Sequence, residues 1–147
     1  MKDAALTALA LAAGIAVPVM AALNAQLAGK MGSAFAAAAV LSAVALLALI
    51  VLALASGTTL ATLRWPAPTI GYGAGLLFTV YIASITWLAP RIGLGNAVFL
   101  VLLGQLVTSA VIDHYALFGA PKVEITPRRL LGLAVMAVGI MLARRPV

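Results

Sequence analysis

Long apolar runs separated by short polar breaks pattern this chain from end to end. Between Ala34 and Ala55 the run is continuously apolar and rich in Ala and Leu, with no period-2 alternation. Runs of that kind predict helices crossing a ~30 Å hydrocarbon core, which takes ~20 residues each. Five spans are expected, over residues 4–27, 34–55, 70–89, 96–117 and 127–143. An outer-membrane barrel would need ~10-residue strands of alternating polarity, and these runs do not alternate. The expected fold is all-α and integral to the membrane, one five-helix domain over residues 1–147.

The polar breaks carry their own signals. Gly29, Lys30, Met31, Gly32 and Ser33 predict a tight turn after span one. The longest break runs from Ser56 to Thr69, where Gly57, Pro66 and Pro68 interrupt helix and Arg64 and Trp65 suit the headgroup level. Pro90, Arg91, Gly93 and Gly95 predict the next turn. Thr126 reads as an N-cap with Pro127 at the first helical position. Arg128 and Arg129 can then snorkel to the headgroups. Pro18, inside span one, removes a backbone donor and predicts a kink or a local opening. Lys2 and the apolar stretch that follows share features with a secretory signal, but the stretch outruns signal length and is read as a retained first span.

Composition agrees with lipid as the solvent. Of 147 residues, 65% are apolar and 8% charged, too few polar groups to cover a soluble core. The formal charge of +6 comes from nine Lys or Arg against three acidic residues. The basic residues lie between or beside the apolar runs, where they meet headgroups and set topology, and no basic cluster with interleaved aromatics speaks for nucleic acid. With five spans, the side of the N-terminus carries Lys2, Arg64, Lys122, Arg128 and Arg129, and the other side carries Lys30, Arg91, Arg144 and Arg145. An excess of five over four instructs orientation weakly. A fixed orientation with the N-terminus inside and dual insertion with antiparallel pairing both stay open. The second would reproduce the inverted-repeat plan of many secondary transporters, with a shared site near the midplane.

Polar groups within the spans are the candidate chemistry, because they are costly to strand in lipid. Gln105, Ser109 and Asp113 recur at i, i+4 and i+8 on one face of span four, with Thr108 alongside. Asn96 lies on roughly the opposite face and reads as a cap or interface residue. Asp113 is either a cation-attracting carboxylate or, being near the interface, the partner of Arg128 or Arg129. In span three, Gly71, Gly75, Thr79 and Ala83 form a small-residue stripe that suits a neighbouring backbone. Tyr81, near mid-span, needs a partner or water for its hydroxyl. Asn24 sits past Pro18 in span one, and Gly132 and Gly139 suit packing of span five. No metal-ligand spacing, cofactor motif, nucleophile–base pair or paired intramembrane carboxylates appear, so an enzyme is not expected.

Several strings together resemble a known family. They are Ala21-Ala22-Leu23-Asn24-Ala25, Leu88-Ala89-Pro90-Arg91-Ile92-Gly93, Gly104-Gln105, Ile112-Asp113-His114 and Leu117-Phe118-Gly119. Their order and spacing are similar to the YdcZ-like family, a short five-helix branch of the drug/metabolite transporter superfamily. The chain departs at Met20, where the family usually has glutamine, and at Ser42 and Ala45, where it tends to have phenylalanine and glycine. The resemblance implies a transporter unit of the bacterial inner membrane, equivalent to one half of a ten-helix inverted repeat. A second five-helix chain, identical or paralogous, would then complete it beside membrane lipid. The expected function is secondary transport of a small organic solute, with a cavity lined by spans one, three and four. Asn24, Tyr81, Gln105 and Ser109 are the expected solute contacts and Asp113 a weaker candidate for ion coupling. The alternatives are a multidrug or lipophilic-cation exporter, which usually needs a buried carboxylate in an early helix, and a scaffold or accessory subunit without transport of its own.

Overall fold

The computed structural model describes residues 2–59, 61–63 and 69–143. They form α1 (Lys2–Met31), α2 (Ala34–Ala55), α3 (Gly73–Ile92), α4 (Leu94–Tyr115) and α5 (Pro127–Ala143). Two 3-10 turns, Thr69–Tyr72 and Leu117–Gly119, precede α3 and follow α4, and there is no strand among the described residues. The expected headgroup pair Arg64 and Trp65 lies outside the described residues, as do Pro66, Pro68, Arg144 and Arg145.

Local chemistry explains the helix ends. α1 runs unbroken through Pro18 and stays helical to Met31, so the turn expected over Gly29–Ser33 shrinks to Gly32 and Ser33. Gly32 takes φ +68°, which only glycine adopts at little cost. Ser33 is extended, and its Oγ accepts from the Ala36 amide at 3.2 Å to cap α2. Lys30 in the last turn of α1 complements the carbonyl end of that helix.

The break expected over Pro90–Gly95 also narrows. α3 continues through Pro90 to Ile92, and Gly93 at φ +84° makes the turn before α4. Asn96 donates from Nδ2 to the Ile92 carbonyl at 2.9 Å, closing the end of α3 across that glycine. α4 stops at Tyr115 rather than Leu117 because Ala116 turns left-handed, φ 50° and ψ 40°, and its N–H returns to carbonyls of the last turn. Thr126 caps α5 as its sequence predicts. Its Oγ1 accepts from the Arg129 amide at 3.2 Å and its carbonyl from the Leu130 amide at 3.0 Å.

Four helical segments are long and apolar enough to cross a membrane: Asp3–Met31, Ala34–Ala55, Ile70–Ile92 and Leu94–Tyr115. The described part of α5 has 17 residues and rises about 25 Å, at the short end of the spanning range. Only 6% to 22% of the most apolar window of each candidate span is buried, so most of this surface has lipid as its natural solvent. The chain divides into two compact units, Met1–Arg91 and Ile92–Val147. In the first, α1 and α2 form an antiparallel hairpin. Ala21, Asn24 and Ala28 on one face of α1 are buried, as are Ala37 and Ala38 of α2. In the second, α4 packs with α5 and with the 3-10 turn that follows it.

Small residues that were expected to pack stay open. A Cβ added at Gly71, Gly75, Gly132 or Gly139 would meet no atom within 4 Å. The buried residues of α3 are Ile82, Ile85, Thr86 and Ala89, whereas Gly71, Gly75 and Thr79 of the expected stripe are exposed and Ala83 is half-buried. Burial falls on the C-terminal half of the helix, whereas Gly75 sits in its N-terminal half and Gly71 in the 3-10 turn before it.

Candidate functional site

The polar centre of the first unit joins two residues far apart in sequence. Asn24 on α1 is 3% exposed and Thr86 on α3 is 0% exposed, and Asn24 Nδ2 donates to Thr86 Oγ1 at 2.6 Å. The amide orientation follows from the hydroxyl. Thr86 Oγ1 gives its own proton to the Ile82 carbonyl at 2.7 Å, so it can only accept from Asn24, and the amide nitrogen must face it. Asn24 Oδ1 is thereby turned away, buried and without a hydrogen-bond partner. A buried carbonyl oxygen left in that condition costs ~1–3 kcal/mol and calls for a donor.

Asn24 lines a cavity of about 240 Å³ between α1 and α2, whose other walls include Met20, Leu27, Val40 and Val44. The walls are apolar, so the amide is the polar feature of that space. Met20, the departure from the family pattern, is one of the lining residues. Tyr81 is half-buried on α3, four residues before Ile85 in the buried stretch of that helix. Thr86 escaped the reading of the sequence. A hydroxyl in an apolar run signals little by itself, and only its place at i+1 and i+4 from Ile85 and Ile82 marks it as facing inward.

The second unit holds the span-four candidates. Gln105, Thr108 and Ser109 are exposed on α4, and Ser109 Oγ donates to the Leu106 carbonyl at 3.0 Å. Asp113 is engaged in structure. Its Oδ2 accepts from Arg129 Nη2 at 2.6 Å, and its carbonyl accepts from the Val123 amide at 2.9 Å. His114 Nδ1 accepts from the Ile125 amide at 3.3 Å, which requires that nitrogen to be unprotonated. Asp113 and His114 thus clamp the segment between α4 and α5, and the ion pair with arginine that the position favoured is present. Arg129 Nη1 is buried and unpartnered, the second such atom among the described residues. No group of three His, Cys, Asp or Glu that could hold a metal is found among the described residues.

Residues 5–142 match the family model DMT_YdcZ, whose description is "Putative inner membrane exporter, YdcZ". No curated protein and no solved structure matches the chain significantly. The match takes in each of the strings on which the resemblance was drawn, including Asn24 and its surroundings. A family of inner membrane exporters and several helices able to span agree on a multi-pass protein of the inner membrane. The chain belongs to the YdcZ-like inner membrane exporter family.

Proposed function

We propose that the protein is a secondary transporter that exports a small organic solute across the inner membrane, with Asn24 as a solute contact. The observation that carries this reading is the unpartnered Asn24 Oδ1, buried beside an apolar cavity in a chain of an exporter family. A solute with an N–H or O–H group would supply the missing donor, and its apolar part would suit the surrounding Met, Leu and Val side chains. Tyr81 on α3 and Gln105 and Ser109 on α4 are the further contacts in this reading. Five helices per chain resemble one half of an inverted repeat of the drug/metabolite transporter superfamily. The working unit is accordingly a dimer, antiparallel where the two copies are identical.

The lipophilic-cation alternative lacks support, because the acidic residue of α4 is held by Arg129 and no carboxylate lies deeper in the described spans. Transport is tested by profiling solutes released from cells with and without the protein, followed by counterflow of the identified solute in proteoliposomes. Asn24→Leu is expected to abolish counterflow, and Tyr81→Phe and Gln105→Leu to weaken it. Wild-type flux in all three variants would remove this site assignment. Protein that moves no solute across a broad panel would favour the scaffold.

A further inference from the structure

A second polar space in the first unit is not used by that reading. It is a cavity of about 470 Å³ at the C-terminal ends of α1 and α3, walled by Ala25, Ala28 and Gly29 on one side and by Trp87 and Arg91 on the other. Ser33 and Thr86 also line it. Arg91 is fixed at its edge. Nη1 donates to the Trp87 carbonyl at 2.6 Å, and Cζ lies 3.8 Å from the centroid of the Trp87 ring. A guanidinium has five N–H donors in a planar fork, so most remain to grip a carboxylate or phosphate.

Among the described residues, the acidic side chains do not neutralise this cation. The sequence holds three acidic residues. Asp113 is paired with Arg129 and Glu124 with Lys122. Asp3 lies near the opposite end of α1, about 40 Å from Gly29 along a continuous helix. Among the described residues, then, no carboxylate pairs with Arg91 or with Lys30, which ends α1 on the same side.

An apolar compartment adjoins the cationic one. It measures about 400 Å³, shares Phe35 and Trp87 with the first, and follows Val80, Ala83 and Leu88 along α3 toward mid-span. We propose that the two together bind an anionic amphiphile. Its carboxylate or phosphate sits on Arg91, Trp87 packs where head meets tail, and the hydrocarbon chain lies along Val80, Ala83 and Leu88. A phospholipid of the surrounding membrane and a free organic acid both have this chemistry. The proposal is independent of transport through Asn24, because it is read by binding alone.

Trp65 and Trp87 are the two tryptophans of the chain, so Trp65→Phe leaves Trp87 as a reporter in contact with Arg91. The full-length variant is placed in phosphatidylcholine nanodiscs. Three probes are compared by Trp87 emission at constant ionic strength: phosphatidylglycerol added to the disc, octanoate in solution, and inorganic phosphate in solution. A saturable change is expected with phosphatidylglycerol, with octanoate or with both, and none with inorganic phosphate at the octanoate concentrations. Response to the lipid alone identifies a headgroup site, to octanoate alone a solute site, and to both a site open to either source. Arg91→Gln should weaken the apparent affinity about tenfold to a hundredfold, the loss of a charge-assisted contact. Gly29→Leu adds bulk to the cavity wall at a position where a Cβ meets no atom within 4 Å, and should also weaken binding. No saturable response overturns the proposal, as does a response unchanged in both variants. Inorganic phosphate binding as well as octanoate overturns the amphiphile, because the tail would then contribute nothing.

Discussion

Thr86→Val should destabilise the protein more than Asn24→Leu, although both remove the same 2.6 Å hydrogen bond. Valine keeps the shape of threonine and leaves Asn24 buried with neither end of its amide partnered, since Oδ1 already lacks a donor. Stranding a buried amide costs ~1–3 kcal/mol in general. Hydrogen bonds between membrane helices average ~0.6 kcal/mol and reach ~1.7. A loss of ~1–2 kcal/mol is therefore expected for Thr86→Val. Leucine at position 24 removes the donor and the stranded acceptor together, and Thr86 Oγ1 keeps its bond to the Ile82 carbonyl. The expected change for Asn24→Leu is within about 0.5 kcal/mol of zero or favourable. Reversible unfolding of the full-length chain by a denaturing detergent in mixed micelles, followed by helicity, gives both values and the double mutant. An Asn24→Leu cost above ~2 kcal/mol, or a Thr86→Val cost no larger than that of Asn24→Leu, would refute the reasoning, because Oδ1 would then have a partner in the folded protein. A residue that costs stability yet is needed for flux is what a solute contact should be.

Other consequences of the structure are open to measurement. Gly32→Ala forces a Cβ into the left-handed region at φ +68° and should cost ~1–2 kcal/mol, whereas Gly29→Ala, helical and unobstructed, should gain up to ~1 kcal/mol; thermal unfolding of the pair checks the sign. Thr126→Ala removes the cap on the Arg129 amide and should lower stability by ~1 kcal/mol, read in the same assay, and Thr126→Ser should recover most of it. The sequence has no cysteine, so single cysteines at Lys2 and at Val147 can be labelled in intact cells with an impermeant thiol reagent. Partial labelling at both ends is expected for an antiparallel homodimer. Labelling at one end only would require a different, oppositely inserted chain as the second half.

Much of the fold was legible because its signals are local. An apolar run of spanning length, Thr126 before Pro127 and Ser33 after Gly32 each act within a turn or two of themselves. The helix ends were less legible. Proline at position 90 and glycine at position 29 read as breaks, but both are helical: Pro90 removes one i→i−4 bond, to the Thr86 carbonyl, without ending the helix, and Gly29 is an unobstructed glycine inside α1. The Asp113–Arg129 pair was foreseen as one of two readings, since both residues fall at one interface by span counting.

What the sequence by itself determined is the solvent, the helical class and the family, because these depend on composition, run length and motif order. What only the tertiary structure decided is which polar groups meet and which small residues pack. Asn24 and Thr86 are 62 residues apart, and no periodicity within either helix reports the other. The small-residue stripe of α3 is exposed where its glycines lie, and burial falls instead on Ile82, Ile85, Thr86 and Ala89, because spacing within one helix does not say where along it a neighbour lies. The orphaned oxygen of Asn24 has the same origin. A residue's need for a partner is written in its side chain, and whether the fold supplies one depends on where the helices come to rest.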